Sequence, residues 1–261
     1  MKKTEHSSRS SREPLYGVNP VLEALRGNRK IEEIVVAEGA HHDRLRELTD
    51  LARAKDIPVK RAPRAALDRA ARNANHQGVL ARVAAARYSD ADELLDAIAA
   101  RVGTNPEPLV VVLDGVEDPR NLGAILRTVE CAGVAGVFMS ERRAVGLTET
   151  VAKAAAGAVE YVPVARVTNL TRLIEHLKER NVWVVGTAPD APLAYTEWDW
   201  TRSSALVLGG EGSGMHRLVR ESCDALVRIP VSGRIESLNV SVAAGVVLYE
   251  AQRQRAMANE K

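Results

Sequence analysis

The stretch LVVVLDGVEDPRNLGAILRT, residues 109–128, decides how this chain folds. Its first part, LVVVLDGV, is an apolar run of strand length that ends at a Gly-containing loop. Its second part opens a helix from Asn121 to Ala132. The same alternation continues to the carboxyl end. Strands are expected at 136–140, 161–165, 182–187, 205–208 and 225–229, with helices at 148–160, 170–180, 216–223 and from 238 to about 255. Continuous apolar strands separated by helices predict a parallel sheet covered on both faces, an α/β fold.

Upstream, residues 88–108 read as a linker. SDADELLDAIAARV forms a helix capped by Ser89 or Asp90, and GTNPEP breaks any regular element. Residues 14–87 read as a second, smaller α/β domain, with helices at 16–25, 41–55 and 64–72 and strands at 31–38, 57–60 and 78–85. Its basic residues Lys60, Arg61, Arg64, Arg69 and Arg72 concentrate in one stretch, and His76 and Gln77 follow in a loop. Such a run reads either as a solvated face or as an RNA contact. Residues 1–13 are charged and Ser-rich with no apolar stretch behind them, which predicts a disordered basic tail and no signal peptide.

A chain of 261 residues, 46% hydrophobic and 27% charged, buries a core without staples. A net charge of +2 says little about partners. Cys131 and Cys223 stand apart, with no spacing for zinc or for a disulfide framework, so reduced thiols in a cytoplasmic protein are expected. No apolar run reaches the roughly 18 residues that a membrane span requires.

Three short segments carry the chemistry: NLGAILRT (121–128), LVLGGEGSGM (206–215) and IPVSGRIESLNVSVAAG (229–245). Each lies where an apolar run meets a loop or a new helix, the edge at which open α/β sheets bind ligands. Apart from His216 at the border of the second segment, they hold no His and no Cys. That argues against a hydrolase triad or a metal site there, and for group transfer run by hydrogen bonds and one fixed cation. GGEGSG fails the dinucleotide pattern, because the third glycine would fall on Met215 or on Arg217. What remains is a loop whose glycines admit a ligand close to the backbone, with Glu211 inside it, or simply a tight turn with an exposed Glu. Taken singly, Arg127 reads as a salt-bridged surface residue, Ser237 as an N-cap, and Asn239 as a first-turn residue with local hydrogen bonds.

Taken together, the order and spacing of the three segments resemble motifs 1, 2 and 3 of the SpoU (TrmH-type) RNA 2′-O-ribose methyltransferases of the SPOUT superfamily. Asn121 and Arg127 match motif 1, Glu211 motif 2, and Ser237 and Asn239 motif 3. The resemblance runs from Tyr16 to about Gln254. YGVNPVLEAL, HQGV and DGVEDPRNLGAILRT are similar to the RlmB branch, which methylates a guanosine ribose in 23S ribosomal RNA. Glu236 stands before Ser237 where that pattern has a small residue. The resemblance implies an amino-terminal RNA-binding domain and, over 109–261, a knotted SPOUT-type domain with a trefoil knot at about 184–247. It implies S-adenosylmethionine as methyl donor, held by Gly209, Ile229 and Leu238, no metal, and a homodimer with the active site at the interface.

The reaction so implied is an in-line displacement by a ribose hydroxyl on a sulfonium methyl, which leaves the protein to align the partners and manage one proton. The family makes Arg127 the activating group. A guanidinium is not readily deprotonated, so Arg127 is expected to bind the adjacent RNA phosphate and stabilise the developing alkoxide, with the proton passing to phosphate, water or Glu211. Ser237 and Asn239 then position substrate and cofactor, and Asn121 and Glu211 order the site. The same chemistry on tRNA, or on a ribosomal adenosine as in thiostrepton-resistance enzymes, is the alternative, and a non-catalytic RNA-binding or ribosome-assembly role is another.

Overall fold

The computed structural model describes residues 14–259 except 28, 41, 42, 73, 85 and 213. The tail expected at 1–13 and the helix start expected at 41–42 lie outside the described residues. The chain forms two compact units, divided after residue 85.

In the first unit, β1 (Leu15–Tyr16), β2 (Ile31–Ala37), β3 (Val59–Ala62) and β4 (Val79–Val83) form a sheet in the order β1-β4-β2-β3. Helices α1 (Val18–Arg26), α2 (Asp43–Ala54) and α3 (Arg64–Ala70) complete the unit. Val21, Ile34, Leu48 and Val79 are fully enclosed. The helix expected from residue 16 starts later, because Leu15 and Tyr16 pair antiparallel with Ala81 and Leu80. β3 is shifted from the expected 57–60: Val59 registers on Ile34, and Val59, Lys60 and Arg61 stay exposed on the sheet edge. Edge strands carry weak apolar patterning, so the apolar Ile57 was a poor marker of the strand's start.

The loop bearing HQG serves the unit's own structure. The Gln77 side-chain carbonyl accepts from the Val18 amide (3.0 Å) at the start of α1. His76 is buried, and its Nδ1 accepts from the Gly78 amide (3.0 Å). Its Nε2 therefore carries the proton of the neutral ring and donates to Asp68 (2.9 Å).

The second unit holds β5 (Leu109–Asp114), β6 (Gly136–Ser140), β7 (Val164–Val167), β8 (Trp183–Thr187), β9 (Leu193–Ala194), β10 (Ser204–Gly209) and β11 (Ala225–Arg228). They form one sheet in the order β7-β6-β5-β10-β8-β11-β9, with every pair parallel. Leu109, Val111 and Leu113 of β5 enter one core cluster while Val110 and Val112 enter the other, so the sheet is covered on both faces. α5 (Pro119–Cys131), α6 (Glu149–Ala154) and α9 (Val240–Asn259) contribute to the first face. α4 (Ala91–Ala99), α7 (Leu170–Glu179) and α8 (Arg217–Ser222) contribute to the second.

Four expectations about this unit are corrected. Residues 88–108 are not a free connector, because Leu94, Leu95 and Ile98 of α4 pack into the core beside Val110 and Phe138. The helix expected at 148–160 stops at Ala154: Ala156 and Gly157 take left-handed backbone (φ 51° and 97°), and a short 3-10 turn follows at Ala158–Glu160. Accordingly the next strand starts at Val164 and not at Tyr161. The carboxyl-terminal helix begins at Val240, two residues later than expected.

Candidate active site

Sequential strands run outward from β5 through β6 to β7, then resume on the other side of β5 with β10 and β8. The carboxyl ends of β5 and β10 thus flank a topological switch point, the place where such sheets gather ligands. Asp118 caps α5, accepting from the amides of Arg120 (2.7 Å) and Asn121 (3.0 Å), and Pro119 fills the first helical position. This fixes Asn121 in the first turn of α5. The glycine of the same segment serves packing: a Cβ on Gly123 would lie 2.4 Å from the Ala154 Cβ of α6.

After β10 the chain folds back on itself. Gly210 and Gly214 bridge each other, a Cβ on Gly209 would fall 2.2 Å from the Met215 nitrogen, and one on Gly210 would fall 2.1 Å from the Gly115 carbonyl. Only glycines permit this closeness, and the fold-back presents Glu211 toward α5 and α9. Asn121 Nδ2 donates to Glu211 Oε1 (2.7 Å), Asn239 Nδ2 donates to the same oxygen (2.8 Å), and Asn239 Nδ2 also reaches Asn121 Oδ1 (3.0 Å). One residue from each of the three segments closes this triangle.

Asn239 is the cap of α9, which corrects its expected place in the first turn. Its Oδ1 accepts from the Ser241 amide (2.9 Å), the Ser241 hydroxyl (2.6 Å) and the Val242 amide (3.4 Å). One carboxamide therefore holds the helix with its oxygen and the triangle with its nitrogen. Ser237 does not cap the helix.

A cavity of about 550 Å³ opens beside the triangle. Gly209, Glu211, Ile229, Ser237, Leu238 and Asn239 all line it, with apolar walls from Leu208, Val227 and Val240. That volume and this mixture of apolar wall with few polar groups suit a small organic ligand. S-Adenosylmethionine fits the lining: an adenine has apolar surface to lie on, glycine backbone lies open beside it, and the Glu211 carboxylate offers the only kind of charge that attracts a sulfonium. Arg127 and Asn121 do not line this cavity. Arg127 is exposed, roughly 9 Å along α5 from Asn121 by helical rise, and has no ion pair among the described residues, so the salt-bridged reading of it is not met.

Sequence reasoning missed one pair at this junction. Asp114, the last residue of β5, is buried, and its Oδ2 accepts from the His216 amide (2.7 Å) while its Oδ1 meets His216 Nδ1 (2.8 Å). The Asp114 carbonyl also accepts from the Gly210 amide (2.7 Å). An acidic residue closing an apolar run was the available signal. Among the described residues, no group of three or more His, Cys, Asp or Glu side chains is placed to hold a metal, and no helix is long and apolar enough to cross a membrane.

Comparison with known proteins supplies the context for this geometry. The profile of the SpoU rRNA Methylase family matches residues 108–249, and one described as RNA 2′-O ribose methyltransferase substrate binding matches residues 14–89. The 23S rRNA (guanosine-2′-O-)-methyltransferase RlmB of Vibrio cholerae is 46% identical over 95% of this chain and 99% of its own. A Bacillus subtilis protein named for the TrmH family of tRNA/rRNA methyltransferases is 44% identical over 92% of this chain and 95% of its own. Among solved structures, an AdoMet-bound rRNA methyltransferase from Sinorhizobium meliloti superposes with a TM-score of 0.75 at 27% identity, covering 92% of this chain and 86% of that one.

Proposed function

We propose, for a chain that belongs to the SpoU rRNA methylase family, that the cavity binds S-adenosylmethionine and that the enzyme methylates the ribose 2′-hydroxyl of a guanosine in 23S ribosomal RNA. The single observation carrying this reading is the triangle of Asn121, Glu211 and Asn239 at the mouth of a cavity lined by Gly209, Ile229 and Leu238. The RlmB relative, similar over nearly its whole length, supports guanosine in 23S RNA as the target. The substrate-binding match over 14–89 supports RNA binding by the first unit, and a ribosomal RNA substrate supports a cytoplasmic location.

The cofactor, when bound, supplies an electrophilic methyl group. The chain's residues do the rest. Gly209, Ile229 and Leu238 hold the adenosine, and the triangle fixes the Glu211 carboxylate so that it needs no reorganisation. Asn239 and Ser237 orient the ribose. Arg127, as a cation that keeps its proton, holds the RNA phosphate next to the reacting hydroxyl and stabilises negative charge on that oxygen. Phosphate, water or Glu211 receives the proton.

The exposed position of Arg127, outside the lining of its own chain's cavity, supports a homodimer in which it serves the partner's cavity. The apolar stripe of α9 supports the same reading: Val242, Tyr249 and Met257 are 51%, 55% and 52% exposed and follow one another at spacings of seven and eight. A trefoil threading of about 184–247 accompanies this proposal. The insertion of β10 between β5 and β8, with α9 returning to α5, supports it.

The experiment supplies methyl-labelled S-adenosylmethionine to ribosomal RNA and tRNA fractions from cells lacking the enzyme. Label in 23S RNA that is lost with Glu211→Ala is the expected result. Label confined to tRNA would overturn the substrate, and no label in any RNA would overturn the activity. Mixing the Arg127→Ala and Glu211→Ala proteins should restore activity if Arg127 crosses the interface, and should leave both dead if it does not.

A further inference from the structure

The pair of Asp114 and His216 has no part in the mechanism above, yet it stands between the residues that do. Asp114 ends β5, seven residues before Asn121, and its carbonyl holds the amide of Gly210, the neighbour of Glu211. Its side chain is 4% exposed while that of His216 is 50% exposed. A carboxylate only accepts hydrogen bonds. Oδ2 takes the His216 amide, and Oδ1 takes the ring proton on Nδ1. In its neutral form the ring is thereby held in one tautomer, with Nε2 unengaged among the described residues. The ring lies beside Gly115: its Cε1 is 3.7 Å from where a Cβ at that position would stand, an ordinary van der Waals contact.

We infer that His216 is a substrate-contacting residue whose Nε2 accepts a hydrogen bond from the 2′-hydroxyl of a nucleotide flanking the target. This rests on the proposed RNA 2′-O-methylation. An RNA strand laid on this edge with its target ribose toward Glu211 presents backbone to the rim. Phosphate oxygens there accept only, so the neutral ring nitrogen has a single backbone partner able to donate, the 2′-hydroxyl. That group also distinguishes RNA from DNA. Asp114 acts through His216, as a positioning residue that fixes the tautomer.

The test uses two variants and two substrates. His216→Asn keeps a side-chain N–H for Asp114 and removes Nε2, whereas His216→Gln carries an amide oxygen out toward the Nε2 position. Full-length enzyme is assayed on 23S RNA and on 23S RNA assembled with a single 2′-deoxynucleotide on either side of the target. One lost hydrogen bond predicts that His216→Asn raises KM for RNA roughly 3- to 10-fold, with KM for S-adenosylmethionine and kcat unchanged and with partial rescue in His216→Gln. On one of the deoxy substrates the variant and the wild type should become equal. Equality on normal RNA would show that the pair only braces the fold and would overturn the inference. So would a loss that persists on both deoxy substrates. A shift of about one in the slope of log affinity against log salt would reveal a charged phosphate contact instead, overturning the hydroxyl assignment. If the wild-type enzyme transfers no methyl to RNA at all, the parent reading falls, and this one with it.

Discussion

Among the described residues each unit contains one His–Asp pair, and the two pairs are built in opposite senses. In the first unit His76 is 2% exposed and its Asp68 is 43% exposed; both ring nitrogens are engaged inside the protein. In the second unit the carboxylate is the buried partner and the imidazole is half in solvent, with one nitrogen left over. A polar side chain whose every hydrogen bond is met internally supports the fold, whereas one held by half of its capacity is presented to something else.

That contrast is broken most severely by Asn239→Asp. The substitution keeps a capping oxygen but sets a second carboxylate against Glu211, now 2.8 Å from the Asn239 nitrogen. Methyl transfer should fall by roughly 100-fold or more, while the melting temperature stays close to that of the wild type. A normal rate would show that the triangle is not part of the machinery. His76→Ala tests the other side. It strips the Gly78 amide of its acceptor and leaves a cavity, so chemical denaturation should show a loss of about 2–3 kcal/mol. Below the transition, kcat should be unchanged.

Gly123→Ala lies between these cases, because this glycine belongs to a chemistry-bearing segment but serves packing. The added methyl meets Ala154 Cβ at 2.4 Å and the Val151 carbonyl at 2.8 Å. A cost of about 1–3 kcal/mol in denaturation is expected. The smallest effect contrasts the two thiols. Cys131 is exposed, and Cys223 packs against the core cluster of the second sheet face, where burial pushes its pKa up to about 12. At pH 8, iodoacetamide followed by mass spectrometry should label Cys131 and leave Cys223 free, since the thiolate is the reactive form. Equal labelling would show that the Cys223 environment is open.

The sequence made the sheet legible because strands buried on both faces are written as unbroken apolar runs, as in LVVVLD. The three segments were legible as one group, and Asn121, Glu211 and Asn239 bring them together at one sheet edge. Pairing and packing were less so. The Ala-rich stretch after Thr148 carries a helical composition, and only the left-handed turn at Ala156 and Gly157 reveals where it breaks. α4 looked like a connector because its three buried residues, Leu94, Leu95 and Ile98, find their partners far along the chain. Asp114 and His216 lie 102 residues apart, and no local spacing announces their contact. Nor could the sequence separate Arg127, which stays outside the cavity of its own chain, from Ser237, which lines it.

The central claim is that the methyl group goes to a ribose oxygen of guanosine. Alkaline cleavage of RNA needs a free 2′-hydroxyl, so the position of transferred label can be read by alkaline digestion of the 23S product. Methylation at the 2′-oxygen predicts label in an alkali-resistant dinucleotide whose 5′ member is guanosine. Label released as an ordinary mononucleotide would place the methyl on a base and contradict the account.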